Sequence, residues 1–154
     1  MQKRIMNIDV YMPVVCELLK QGKETSIVIT GNSMVPFLVH GRDEILIAPP
    51  DGTWRRGDMA FYRRVNGQYV MHRICRVNGD GTYSFVGDGQ TSIESPIYEQ
   101  QMFGKITSVK RKDRWIGPGN FWWEFFAHVW IRLVPVRPAV RRLYGAMTFW
   151  KHRK

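Results

Sequence analysis

The Asn66-Gly67 dipeptide sits between MAFYRRV (59–65) and QYVMHRICRV (68–77), two runs rich in β-branched and aromatic residues. Two-residue hairpin loops need positive φ at their central positions, which Asn-Gly adopts at little steric cost. The middle of the chain is therefore expected to form an antiparallel pair. Similar runs flank it: SIVIT (26–30), EILIA (44–48), TYSFVG (82–87) after Gly79-Asp80-Gly81, and KITSVKRK (105–112), placed to complete the sheet. Ahead of them IDVYMPVVCELLKQ (8–21) has helical periodicity, with Asp9 as N-cap, Pro13 in the first turn and Gly22 past the last periodic residue. The predicted fold class is mainly β: a compact antiparallel sheet or small barrel, with an N-terminal helix and C-terminal amphipathic helices.

A chain of 154 residues, 44% apolar and 23% charged, has the make-up of one globular domain and can bury a core without cross-links. Cys16 and Cys75 are too few for a disulfide scaffold and fit a reducing compartment, and no Cys/His cluster has metal-ligand spacing. No metal or organic cofactor is implied. No run reaches the roughly 18 to 20 apolar residues of a membrane-spanning helix. Nor does the charged start MQKRIMNID read as a signal peptide, because Asp9, Pro13 and Glu17 break the apolar run after it. The net charge of +10 is unevenly spread: residues 1–109 hold 12 Lys/Arg against 11 Asp/Glu, residues 110–154 hold 11 against 2. The same last stretch carries five of the six Trp. Three segments follow from this: an N-terminal helix over 1–25, a β-rich body over 26–112 and a basic aromatic tail over 113–154.

Candidate chemistry centres on Thr30-Gly31-Asn32-Ser33-Met34-Val35-Pro36. Gly31 permits close backbone approach, and Pro36 keeps Val35 out of the helical region, so the chain must bend just past Ser33. A serine at such a bend is displayed rather than packed, as a nucleophile needs. Taken alone, Ser33 reads as an ordinary loop serine. His72 shares a strand face with Val70 and Ile74, where a histidine is commonly a core or rim residue. His40, His128 and His152 lie in loop or tail contexts, and Asp58 and Asp88, each after a glycine, read singly as turn residues.

In order and spacing these pieces resemble the signal peptidase I and LexA-like serine peptidases, over about 80 residues from Ile27 to Lys105. Gly31-Asn32-Ser33-Met34-Val35-Pro36 is similar to the family's Ser-Met box with its following Pro. Gly41-Arg42-Asp43 before EILIA resembles the first Gly-Asp strand, here with Arg42 inserted, and Gly57-Asp58-Met59-Ala60-Phe61 the second. Val70-Met71-His72-Arg73-Ile74 falls where the family keeps its general base followed by Arg. Phe85-Val86-Gly87-Asp88-Gly89 resembles the third Gly-Asp box, and Phe103-Gly104-Lys105-Ile106 the closing Gly-Lys strand. No lysine lies between Lys23 and Lys105, so the resemblance is to the Ser–His branch, that of endoplasmic-reticulum and sporulation-type signal peptidases, rather than to the Ser–Lys majority. It implies a serine endopeptidase in which Ser33 attacks, His72 is the base and Asp88 orients it, with Glu94 standing where that branch often has a second Asp. In the family the nucleophile's own N–H helps form the oxyanion hole; the hydroxyl some members add two residues upstream is replaced here by Gly31, leaving Thr30 or a backbone group to serve. The other function class is a catalytically inactive module that binds peptides or partner proteins at a membrane.

The tail segment NFWWEFFAHVWIRLV (120–134) sets Trp122, Phe125, Phe126, Val129, Trp130 and Leu133 on one helical face, and Glu124, His128 and Arg132 opposite. After Pro135 and Pro138 the pattern resumes, with Val140, Leu143, Tyr144 and Met147 against Arg137, Arg141 and Arg142. Short helices rich in Trp and Arg suit the plane of an anionic bilayer surface. The alternative is that the aromatic face packs on the body as core. Nucleic acid is a weaker third partner, since no nucleic-acid module is recognisable. Signal peptidases proper tether themselves by an N-terminal spanning helix, and none is found here. The expectation is thus a cytoplasmic enzyme held at the inner face of the membrane, acting on a peptide or protein substrate.

Overall fold

The computed structural model describes residues 8–140 and 142–143. Helix α1 spans Ile8–Lys20 and buries Met12, Val15 and Leu19 on one stripe. It ends where Gly22 takes φ +79°, with the Gly22 and Lys23 N–H groups donating to the Leu19 and Leu18 carbonyls. That is the left-handed stop glycine provides without a Cβ clash.

Eight strands follow among the described residues: β1 Thr25–Val28, β2 Glu44–Ala48, β3 Met59–Arg63, β4 Tyr69–Val77, β5 Thr82–Val86, β6 Glu94–Tyr98, β7 Met102–Arg111 and β8 Arg114–Ile116. All pair antiparallel in the order β1-β2-β7-β3-β4-β5-β6, with β8 folded back on β7. A hairpin forms where expected, setting Ala60 opposite His72 and Tyr62 opposite Val70, but its loop is Val65-Asn66-Gly67 rather than two residues: only Gly67 takes positive φ, at +90°, and its N–H donates to the Arg64 carbonyl at 2.8 Å. The path ends at β1 and β6, which do not pair with each other among the described residues. The sheet is therefore open, and the barrel alternative is corrected on that point.

Strand alternation sends side chains to two cores. One packs α1 against Ile45, Ile47, Phe61, Ile106 and Val109; the other gathers Ala60, Tyr62, Val70, Ile74 and Phe85 on the opposite face. Gly104 lies where a Cβ would come within 2.7 Å of the Ile47 side chain, so β7 and β2 depend on its bareness.

Past β8 the chain is helical over residues 121–140. Asn120 caps it, its side-chain oxygen accepting the Trp122 and Trp123 N–H groups. A wide π turn over Phe125–Val129 and a tight 3₁₀ stretch over Trp130–Val136 rotate successive side chains away from ideal helical phase. The single apolar face read from the sequence consequently divides. Phe126, Trp130, Ile131 and Val134 are buried on the body, whereas Trp122 and Val129 are about half exposed, at 50% and 46%. Arg137, expected on the polar side, is fully buried and donates to the carbonyls of Gly87, Gln90 and Trp130. Tyr144, Met147 and Arg141 lie outside the described residues. None of the described helices is long and apolar enough to cross a membrane.

Because Trp130 fills the seam between helix and sheet and its indole N–H donates to the Asp88 carbonyl at 2.7 Å, Trp130→Ala should lower unfolding free energy by about 3–5 kcal/mol. Urea denaturation measures this, and a loss under about 1 kcal/mol would show that the tail is not part of the core.

Candidate active site

The Ser33 loop is held at both ends. Ile29 N–H donates to the Asp43 carbonyl at 2.8 Å and Gly41 N–H to the Ile29 carbonyl at 2.9 Å, so the Gly41-Arg42-Asp43 segment closes the loop. The buried Asp43 carboxylate accepts from the Val39 N–H and from the Arg42 guanidinium. His40 contributes a staple that sequence reasoning passed over: its Nδ1 accepts the Gly31 N–H at 2.7 Å. Within the loop Met34, Phe37 and Leu38 are buried anchors, while Ser33 remains partly exposed at the bend. This is the display that Gly31 and Pro36 led one to expect. The Ser33 carbonyl accepts the Gly89 N–H at 2.8 Å. A Cβ on Gly87 would stand 2.4 Å from that same oxygen, so glycine is required for the approach.

Ser33 and His72 line one cleft of about 240 Å³, together with Ile27, Ile29, Phe61 and Met71. β3 and β4 set the orientation of His72. Its Nδ1 lies 3.3 Å from the Tyr62 hydroxyl, which donates to Glu94 Oε2 at 2.8 Å. A carboxylate only accepts, so the single phenolic proton is committed to Glu94 and Tyr62 oxygen must accept from Nδ1–H. The lone pair of His72 is thereby left on Nε2. Arg64 grips Glu94 with two bonds of 2.9 and 2.8 Å. Burial alone would push the Glu94 carboxyl up, but the bonds from Arg64 and Tyr62 outweigh it and hold it below the usual range. Tyr62 is pushed far up, first by burial and then by Glu94, and stays protonated.

Asp88, assigned by the resemblance to orient His72, has both carboxylate oxygens on Arg73 at 2.8 and 2.9 Å, the two side chains being 0% and 1% exposed. No hydrogen bond joins Asp88 to His72 among the described residues. Adjacent residues of a strand face opposite ways, so the aspartate that meets Arg73 is on the wrong side to bond the ring of His72. Glu94, the second acid considered, reaches the ring through Tyr62. The resemblance took in Arg73 but gave it no role; Tyr62 and Arg64 were missed, although the period of two placed Tyr62 on the face of Ala60, across the hairpin from His72. Asp58 takes the turn role expected of it, accepting the Arg55 N–H at 2.9 Å.

Neither a family model, nor a curated protein, nor a solved structure matches this chain.

Burial pulls the His72 imidazole down to about 4, with Glu94 and Asp88 pulling the other way and Arg64 adding to the fall. An unfolded histidine titrates near 6.5. Between those values the unfolded chain binds a proton that the folded one refuses, so this group lowers stability as pH falls from 6.5 and adds no further loss below about 4. Against His72→Gln, the wild type should lose at most roughly 3 kcal/mol more over that window. Denaturation series at several pH values test it, and parallel stability curves for the two proteins would contradict the buried, neutral ring.

Proposed function

We propose that the protein is a serine endopeptidase of the signal-peptidase-like and LexA-like class, Ser–His branch, cleaving a leader, signal or propeptide bond. The observation that carries this is the shared cleft of Ser33 and His72, with the Nδ1 of His72 engaged by Tyr62 and Nε2 left to act as base. In the reaction Ser33 Oγ attacks the scissile carbonyl carbon while Nε2 takes its proton. The imidazolium so formed is stabilised through Tyr62 by the Glu94 carboxylate, a role the triad logic normally gives to an aspartate. His72 then passes the proton to the leaving amine, and an ester on Ser33 remains. Water, deprotonated by His72, attacks that ester and releases the acid and the free hydroxyl. The Gly31 N–H is occupied by His40, so the oxyanion is assigned to the N–H of Ser33 itself, which bonds no protein group among the described residues.

The geometry also favours an extended substrate. β1 ends the pairing path, and its residues Ile27 and Val28 border the cleft, so a peptide can add as a further strand along that edge. Ile29, Met34 and Met71 offer a shallow apolar pocket to small side chains. The basic tail, with Phe121, Trp122 and Leu143 exposed, supports attachment to an anionic membrane surface, and the free thiols of Cys16 and Cys75 fit its cytoplasmic face. Nucleic acid is not part of this proposal. A second reading, a peptide-holding module without hydrolysis, draws on the same depression of His72, because a base near 4 accepts protons weakly at neutral pH.

Cleavage of unstructured peptides with small residues at the scissile bond separates the two readings. Ser33→Ala and His72→Ala should each cut kcat/KM by about 10³-fold or more, and Tyr62→Phe by about 10-fold. The acid limb of kcat/KM should centre near 4 rather than 6.5, since activity requires the neutral ring. Turnover that survives both the Ser33 and His72 replacements would refute the mechanism, and no turnover by wild type across a broad peptide library would favour the holding module.

A further inference from the structure

A second and larger hollow, about 830 Å³, lies behind the Ser33 turn, between the β7–β8 hairpin and the C-terminal helix. Its walls are apolar: Pro36, Ile116, Trp122, Phe125 and Val140 all face it. Its rim is cationic, formed by Arg111, Lys112 and Arg114. The only acid in that hairpin is Asp113, and no ion pair engages any of the three cations among the described residues. Arg111 is built in, its Nε donating to the Phe37 carbonyl at 2.7 Å and its guanidinium lying over both the Phe37 and Trp122 rings.

We propose that this groove binds a single anionic phospholipid, its acyl chain along Trp122, Phe125 and Val140 and its phosphate on Lys112 and Arg114. The proposal deepens the membrane-surface reading of the tail and rests on it. Charge complementarity selects the sign of the ligand, and the paired apolar and cationic elements match the two signals that stable surface attachment needs. The lining favours lipid over peptide. Its one amide side chain, Asn120, already spends its oxygen capping the helix, and the Trp130 indole N–H is bonded to Asp88. A peptide backbone would find few side-chain partners there, whereas an acyl chain needs none. Trp122, half exposed at the mouth, sits as interfacial tryptophans do, with an apolar body and a polar edge.

The full chain is tested by flotation with phosphatidylcholine vesicles, with and without phosphatidylglycerol, and by quenching of its tryptophan fluorescence with bromine-labelled acyl chains. Wild type should float only with the anionic lipid and be quenched by it. Lys112→Glu with Arg114→Glu should weaken flotation by about tenfold or more, Val140→Asp should remove the quenching, and Trp122→Phe should reduce it with flotation retained. Thermal melts confirm that each variant is folded. Flotation without bromine quenching would mean charge adsorption alone and overturn the groove. Equal flotation of the charge-reversed variant, equal binding to neutral vesicles, or a preference for an acidic amphipathic peptide over vesicles would each overturn it as well. Failure of the peptidase reading is separately visible, since cleavage of soluble peptides involves neither Lys112 nor Arg114.

Discussion

The ion pair between Arg73 and Asp88 is the contact on which the rest of the architecture depends. It sits in the interior, and the residues around it converge on one short turn, Gly87-Asp88-Gly89. Arg73 also donates to the Gly57 carbonyl, the Gly89 N–H holds the Ser33 carbonyl, Trp130 donates to the Asp88 carbonyl, and Arg137 to that of Gly87. One turn thus ties β4, the Ser33 loop and the C-terminal helix. Burying two charges is costly, and their attraction offsets this only when further hydrogen bonds complete the arrangement, as they do here. A lone charge left by deletion of one partner would cost several kcal/mol. The pair is therefore better understood as fixing a unique geometry around Ser33 than as a source of net stability.

The two glycines that precede acids on this side have a common reason. Gly57 has φ +99° and lies so close to the helix that a Cβ would meet the Ala127 carbonyl at 2.4 Å; Gly87 is pressed on the Ser33 carbonyl in the same way. These two Gly-Asp boxes are thus places where backbone packs on backbone. The asymmetric charge and aromatic content of the tail have a mixed explanation as well. Phe126, Trp130 and Arg137 belong to the interior of the body, leaving Trp122, Phe121 and the hairpin cations as its outward-facing part.

Much of the sheet was legible because local signals agreed. β2 falls on EILIA, the Asn66-Gly67 hairpin sets the register of β3 and β4, and α1 ends at the glycine placed for it. Two strands were hidden. β6 contains Pro96 and buries only Ile97, which is tolerable only at the sheet edge where it lies. β8 follows a turn made by Lys112 and Asp113 at positive φ, without the glycine or asparagine that announces such turns, so the expected boundary after residue 112 falls inside a hairpin. The candidate site was legible where it is sequence-local, in the partly exposed position of Ser33 at its bend. The orienting chain of Tyr62, Glu94 and Arg64 was not, because it depends on which strands neighbour one another and on β6, the strand that periodicity did not reveal. Asp88 illustrates the same limit: the resemblance assigned it to His72, while the alternation of β4 gave it to Arg73.

Hydrolysis by the proposed route requires that Ser33 be an activated nucleophile with His72 as its base. Treatment with a serine-reactive organophosphonate, followed by mass spectrometry of the digested protein, tests this without knowledge of the substrate. One adduct per chain on the peptide that contains Ser33, abolished when His72 is replaced by alanine, is the predicted result. A folded protein whose Ser33 stays unmodified, or an adduct that forms equally well without the imidazole, would contradict it.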